Sequence, residues 1–125
     1  MRNSLDAAQL CAEAAGSKKA FDILILDLRG LTYITDYFVI CSGSNTTQVS
    51  AISDEIGHAL AKAGERPSHV EGGAESNWVL MDYGDVVVHI FEEQTRNYYS
   101  LEKLWSDAPR IPVAVRTREL QVASS

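Results

Sequence analysis

Trp78-Val79-Leu80-Met81-Asp82-Tyr83-Gly84-Asp85-Val86-Val87-Val88-His89-Ile90-Phe91 is a pair of apolar runs around a Tyr-Gly pair, the pattern of a β-hairpin. Side chains alternate faces along each strand. If Tyr83 and Gly84 form the whole loop, Asp82 faces Asp85, Met81 faces Val86, Val79 faces Val88 and Trp78 faces His89. That type I′ turn requires positive φ at Tyr83, which costs a non-glycine residue about 1 kcal/mol. A bulge with Gly84 in the left-handed region is the equal alternative. It changes the cross-strand pairs but not the alternation. Either way, Val79, Met81, Val86, Val88 and Ile90 share a core face. Trp78, Leu80, Val87, His89 and Phe91 share the other, rimmed by Asp82 and Asp85. Such a face needs a helix or another protein over it.

The residues that follow, 92–105, predict a helix with Thr95 as its N-cap. Tyr98, Leu101 and Trp105 fall at helical spacing and read as a core stripe, with Leu104 beside them. Tyr99 shares its side with Glu102 and Lys103 and points outward. An exposed tyrosine beside an acid, close to an aromatic sheet face, has the makings of a protein-binding patch. Asp82, Asp85, Glu92 and Glu93 read as a cluster near the hairpin, either plain solvated charge or, beside those aromatics, the edge of an interface.

The chain has 125 residues, 46% of them hydrophobic, enough for one domain that buries roughly two-thirds of its unfolded surface. Its formal net charge of -6 makes it a poor counterion for nucleic-acid phosphates and a good one for a basic protein. No signal peptide is expected, and no apolar run approaches the roughly 20 residues of a membrane span. The expectation is a cytoplasmic protein with both cysteines reduced.

Residues 4–15 predict a first helix, capped by Ser4 and ended by Gly16, whose mostly alanine stripe should pack lightly. Residues 22–28 are apolar on both faces, as in a covered central strand. A second strand spans 37–42. Asn45 and Gln48 have capping-box spacing, and Val49, Ile52, Ile56, Leu60 and Ala63 then repeat at helical spacing up to Gly64. Residues 65–77 form a connector in which 69–71 makes a short strand. A right-handed crossover from 37 to 78 would make those two strands parallel, and the hairpin adds antiparallel pairing. The fold class is therefore α/β, a mixed β-sheet with helices on its faces. The domain is expected over 1–106. Residues 107–125, entered through Pro109 and Pro112, are expected to be a flexible C-terminal tail.

Catalytic patterns are sparse. Gly43 and Ser44, at a strand-to-helix junction, have the makings of an anion site, and nucleotidyl-transfer enzymes begin this way. No Asp-x-Asp pair follows on the next strand, so a tight turn plus a helix cap is the plainer reading. Cys41 lies in an apolar strand and reads as a buried thiol. His58, His69 and His89 lack metal-ligand spacing. No catalytic, cofactor or metal residue is assigned.

Four stretches together resemble one family. They are Asp36-Tyr37-Phe38-Val39-Ile40-Cys41-Ser42-Gly43, then Val70-Glu71-Gly72, then 78–89, then Arg96 with Tyr99-Ser100-Leu101-Glu102-Lys103-Leu104-Trp105. They are similar to the ribosomal silencing factors (RsfS, also called Iojap), over roughly 5–105. The resemblance implies a nucleotidyltransferase-like fold without its catalysis and without a cofactor. It also implies binding to the fourteenth large-subunit ribosomal protein on the large ribosomal subunit. Occupying that surface would keep the small subunit from docking, so that translation falls when nutrients are short. The positions it points to for that contact are Trp78, Tyr99, Leu101 and Glu102. The hairpin face adds Leu80 and Asp82. A homodimer is a further expectation for the family, and neither nucleic acid nor membrane is an expected partner. Thr47 departs from the family's frequent arginine. The alternatives are a nucleotidyl-transfer enzyme using the Gly43 and Ser44 turn, and a dimerisation module whose aromatic face is its self-interface.

Overall fold

A computed structural model describes residues 3–114. Helix α1 (Ser4–Ser17) precedes strands β1 (Phe21–Asp27) and β2 (Tyr37–Gly43). Helix α2 (Thr46–Lys62) leads to β3 (His69–Glu71), β4 (Trp78–Asp82) and β5 (Val86–Glu92). Helices α3 (Glu93–Tyr99) and α4 (Leu101–Leu104) and strand β6 (Arg110–Ile111) complete the order. The six strands form one mixed sheet, ordered β3-β4-β5-β2-β1-β6. β2 and β5 are parallel, and every other neighbouring pair is antiparallel.

The crossover differs from expectation. β4 does not run parallel to β2. The strand that does, after α2, is β3 at the sheet edge, and β4 and β5 then fold back to fill the gap. Three residues within the expected connector thus complete the strand–helix–strand unit.

The hairpin keeps its predicted faces and changes its register. Trp78 pairs with Phe91, Leu80 with His89 and Asp82 with Val87. The loop is Gly84 and Asp85, closed by Tyr83 N–H donating to the Val86 carbonyl at 2.8 Å. Gly84 takes the positive φ, +88°, that no side chain there needs to bear. Moving the loop one residue along shifts each partner by two positions, so every residue stays on its own face.

α1 and α2 cover the first face. α1 is capped by Asn3, whose Oδ1 accepts from Asp6 N at 2.8 Å, and Ser4 instead bonds Asp36 at 3.1 Å. Far from packing lightly, α1 buries Ala7, Ala8, Cys11, Ala12, Ala14 and Ala15. Small side chains let it sit close against the sheet and α2, where Val49, Ile52, Ile56 and Leu60 complete the layer. In α2, Asn45 caps Gln48 N as expected.

The second face is covered by shorter pieces: α3, α4 and the segment that follows. Glu92, not Thr95, caps α3, accepting from Gln94 N at 3.0 Å and Thr95 N at 3.2 Å. The predicted single helix breaks at Ser100, whose φ of 50° is left-handed. The break rotates Tyr98 out of the stripe, leaving it 82% exposed, while Leu101 and Trp105 pack inward.

Residues 107–114 are not a tail. Ala108 is buried, the Pro109 carbonyl accepts from Asp27 N at 2.8 Å, and β6 pairs with β1. The chain then reaches α1, where Gln9 bonds the Pro112 carbonyl and Ala114 N. The last helix stops at Leu104, well before Pro109, so the prolines do not end it; Pro109 and Pro112 instead flank an edge strand that offers little to a further strand. The tail expectation for 115–125 lies outside the described residues.

Candidate functional site

The second sheet face is closed at one end and half-open at the other. Leu26, Leu28, Ile40, Phe91 and Ala108 form its buried cluster, with Leu101 and Trp105 packed against it. Towards β4 the cover runs out. Trp78 and Leu80 stay half-buried, because among the described residues only Tyr99 and the three-residue edge strand lie beyond them.

Trp78 organises this bank. Its ring lies 4.7 Å from Phe91 and 5.0 Å from Tyr99, centroid to centroid. Its indole N–H donates to His89 Nδ1 at 3.2 Å. Phe38 meets His89 edge-on at 4.6 Å and Trp105 at 5.8 Å, so the aromatics form one continuous array. Tyr99 is 53% exposed, and Tyr98 crosses it edge-on at 5.0 Å. An amphipathic array of this kind offers large contact area with few rotors to immobilise.

His89 sits beneath the array. Burial holds its pKa down at about 4, so it is neutral at pH 7. Because Nδ1 accepts from Trp78, the proton belongs on Nε2, which finds no hydrogen-bond partner among the described residues.

The predicted site residues separate into three groups. Trp78 and Tyr99 are in contact, and Leu80 lies on the same face two residues along β4. Asp82 stands at the turn end of that face, where its Oδ1 accepts from Gly84 N at 2.8 Å. Leu101 packs into the second-face cluster. Glu102 turns inward, its Oε2 accepting from Arg96 Nε at 3.2 Å, while Oε1 is buried and unbonded among the described residues.

The predicted acidic cluster does not form as one. Asp85 and Glu92 sit at opposite ends of β5, about 23 Å apart at the rise of a strand. Asp82 closes a turn and Glu92 caps a helix, the latter's carboxyl held below its ordinary range by the amides of Gln94 and Thr95. The acid beside the aromatic bank is instead Glu71, which pairs across from Leu80 and bonds His69 at 2.8 Å.

Arg96 is the residue sequence reasoning left without a role. A charged side chain on a short helix reads as solvated, yet it is only 7% exposed. The sign available in the sequence was its place in the matched motif.

The Gly43 and Ser44 turn uses its donors internally. Ser44 N donates to Gln48 Oε1 at 2.6 Å, and Gln48 Nε2 donates in turn to the Lys18 and Lys19 carbonyls. A Cβ on Gly43 would press Val49 at 3.2 Å, so close packing explains the glycine. Cys11 and Cys41 are buried, and burial pushes both thiols up to about 12. Among the described residues, no group of three or more His, Cys, Asp or Glu is placed to hold a metal ion, and no helix is long and apolar enough to cross a membrane. Thr47 lies exposed in the first turn of α2.

Fold and surface together define a mixed α/β domain that presents a half-open aromatic bank edged with acid. Comparison with known proteins places it further. The family model described as "Ribosomal silencing factor during starvation" (RsfS) matches residues 1–125. The chain is 46% identical over 107 residues to the ribosomal silencing factor RsfS of Bacillus subtilis, covering 86% of this chain and 91% of that one. A crystal structure of a Chromobacterium violaceum protein superposes with a TM-score of 0.82 at 32% identity, over 92% of this chain and 95% of the other. A more distant relative is the murine "mitochondrial assembly of ribosomal large subunit protein 1", 32% identical over 71% of this chain and 40% of that protein. The chain belongs to the ribosomal silencing factor (RsfS) family, as its motifs implied, and has that family's role in regulating translation.

Proposed function

We propose that the protein silences translation sterically. It binds the fourteenth ribosomal protein of the large subunit through Trp78, Leu80, Asp82, Tyr99 and Leu101, with Glu102 supporting them from within, and its bulk keeps the small subunit from joining. The observation that carries this reading is the Trp78 and Tyr99 bank, an aromatic surface left half-open where the rest of the sheet is covered. Tryptophan and tyrosine are enriched among the residues that dominate binding energy. The net charge of -6 favours encounter with a basic ribosomal protein and disfavours RNA as the direct ligand. The murine relative's name, with its large ribosomal subunit, agrees with the choice of subunit. No chemistry and no cofactor enter the mechanism, and it acts in the cytoplasm with the ribosomes.

The test is a subunit-joining assay with purified ribosomal subunits. Adding the protein to large subunits before small ones should lower the yield of joined ribosomes in proportion to occupancy. Unhindered joining at saturating protein rejects the mechanism. If the protein also dimerises through this face, large subunits should dissociate the dimer, because both partners would need Trp78.

A further inference from the structure

Arg96 has no place in the contact just described, yet it is the buried residue of α3. Its Nη1 donates to the Asp22 carbonyl at 2.6 Å and to Ser42 Oγ at 2.8 Å. Its Nε donates to Glu102 at 3.2 Å. One side chain therefore ties α3, α4, the bulged start of β1 and the end of β2.

Both ends of this network carry unusual backbone. Asp22, in the register break of β1, and Ser100, between the helices, each have a φ of 50°. The Arg96 carbonyl also accepts from Ser100 N at 2.8 Å, which closes the kink. Between Arg96 and its partner Glu102 lie Tyr98, Tyr99, Ser100 and Leu101, the outer wall of the aromatic bank. Helices of seven and four residues do not hold themselves in water. A planar guanidinium can meet a carbonyl, a hydroxyl and a carboxylate in fixed directions, and an ammonium cannot do so from one point.

We propose that Arg96 is the positioning residue of the ribosome contact: from inside the protein it holds the α3–α4 kink so that Tyr99 and Leu101 meet their partner already ordered. This rests on the Trp78 and Tyr99 bank being that contact.

Arg96→Lys tests it, by titration against isolated large ribosomal subunits. Binding should weaken about tenfold, the cost of re-ordering two side chains on contact. In hydrogen exchange, amides 97–104 should lose protection while those of the sheet keep theirs. On a Tyr99→Ala background Arg96→Lys should cost clearly less than it does alone, because one of the two side chains it orders is gone. Wild-type affinity in the folded variant overturns the proposal, as do fully additive losses or lost affinity with amides 97–104 still protected. Ser42→Ala removes one acceptor from within the sheet and serves if Arg96→Lys does not fold. It should loosen the same amides and weaken binding, and unchanged affinity despite loosened amides counts against the role. If Trp78→Ala also binds normally, the interface itself is misplaced. If Trp78→Ala alone weakens binding, only the positioning role falls.

Discussion

Lowering the pH should destabilise this fold through His89 before its carboxylates respond. His89 is 5% exposed, and burial lowers its pKa from 6.5 to about 4. The unfolded chain takes up the proton as pH falls through 6.5, and the folded chain refuses it until near 4. Stability is therefore fully present above about pH 7 and declines across that window. With those two values, linkage gives a loss of about 2 kcal/mol between pH 7 and pH 5, approaching about 3 kcal/mol by pH 4. Protonation of the folded chain takes away the Nδ1 lone pair that receives the Trp78 indole, so near-UV circular dichroism of the native protein should change near pH 4 and hold steady between pH 7 and 5. Urea unfolding of the wild type and of His89→Leu at a series of pH values checks this. The variant starts from its own stability at pH 7, and only the difference in slope matters. It should lack the decline between pH 7 and 5. Parallel slopes would mean that His89 is not held neutral in the folded state, which would refute the reasoning.

Trp78→Ala, confirmed folded, should weaken binding to large subunits by about 2 kcal/mol, roughly thirtyfold, in a pull-down or titration. Asp82→Lys should chiefly slow association at low salt and reduce its salt dependence, and unchanged rates would exclude electrostatic steering there. Gly72→Ala should cost more than about 2 kcal/mol in urea unfolding, because φ is +87° and a Cβ would stand 2.6 Å from the Trp78 carbonyl oxygen. Gly84→Ala, with φ +88° but open space around it, should cost only about 1 kcal/mol. Cys11 and Cys41 should react with a thiol reagent only as fast as the protein opens, and rapid labelling of the native state would contradict their burial.

The faces of the sheet were legible because strand periodicity survives an even shift in register. The register was not, since it turned on whether Tyr83 or Gly84 opened the loop. α1 was misjudged because alanines make a weak stripe, although they permit the closest approach to a neighbour. His69–Glu71 is too short to register as the strand completing a crossover, and its role depends on β4 and β5, which come later. The prolines at 109 and 112 bar a helix from that stretch but do not announce that the chain between them pairs with β1. Of the site, Trp78 and Tyr99 could be found from residue type and spacing. The inward turn of Glu102 could not, because it depends on Arg96, whose burial depends on a bulge far away in sequence.

The two sides of the sheet divide the work unequally. The first carries helices of 14 and 17 residues and the larger cluster, while the second carries helices of seven and four. β4 and β5 belong to both. Val79, Met81, Val88 and Ile90 anchor them in the larger cluster, and the residues between, Trp78 and Leu80 on β4, face the open bank. A contact surface built on alternate residues of anchored strands inherits their rigidity without borrowing from the core. The α3–α4 wall has less to hold it, since its exposed Tyr98, Tyr99 and Leu104 depend on Leu101 in the smaller cluster, a kinked backbone and one internal arginine. The bank thus joins a fixed half to a half that must be kept in place, and affinity for a ribosomal surface should be most sensitive where the second half meets the first, at Trp78 against Tyr99.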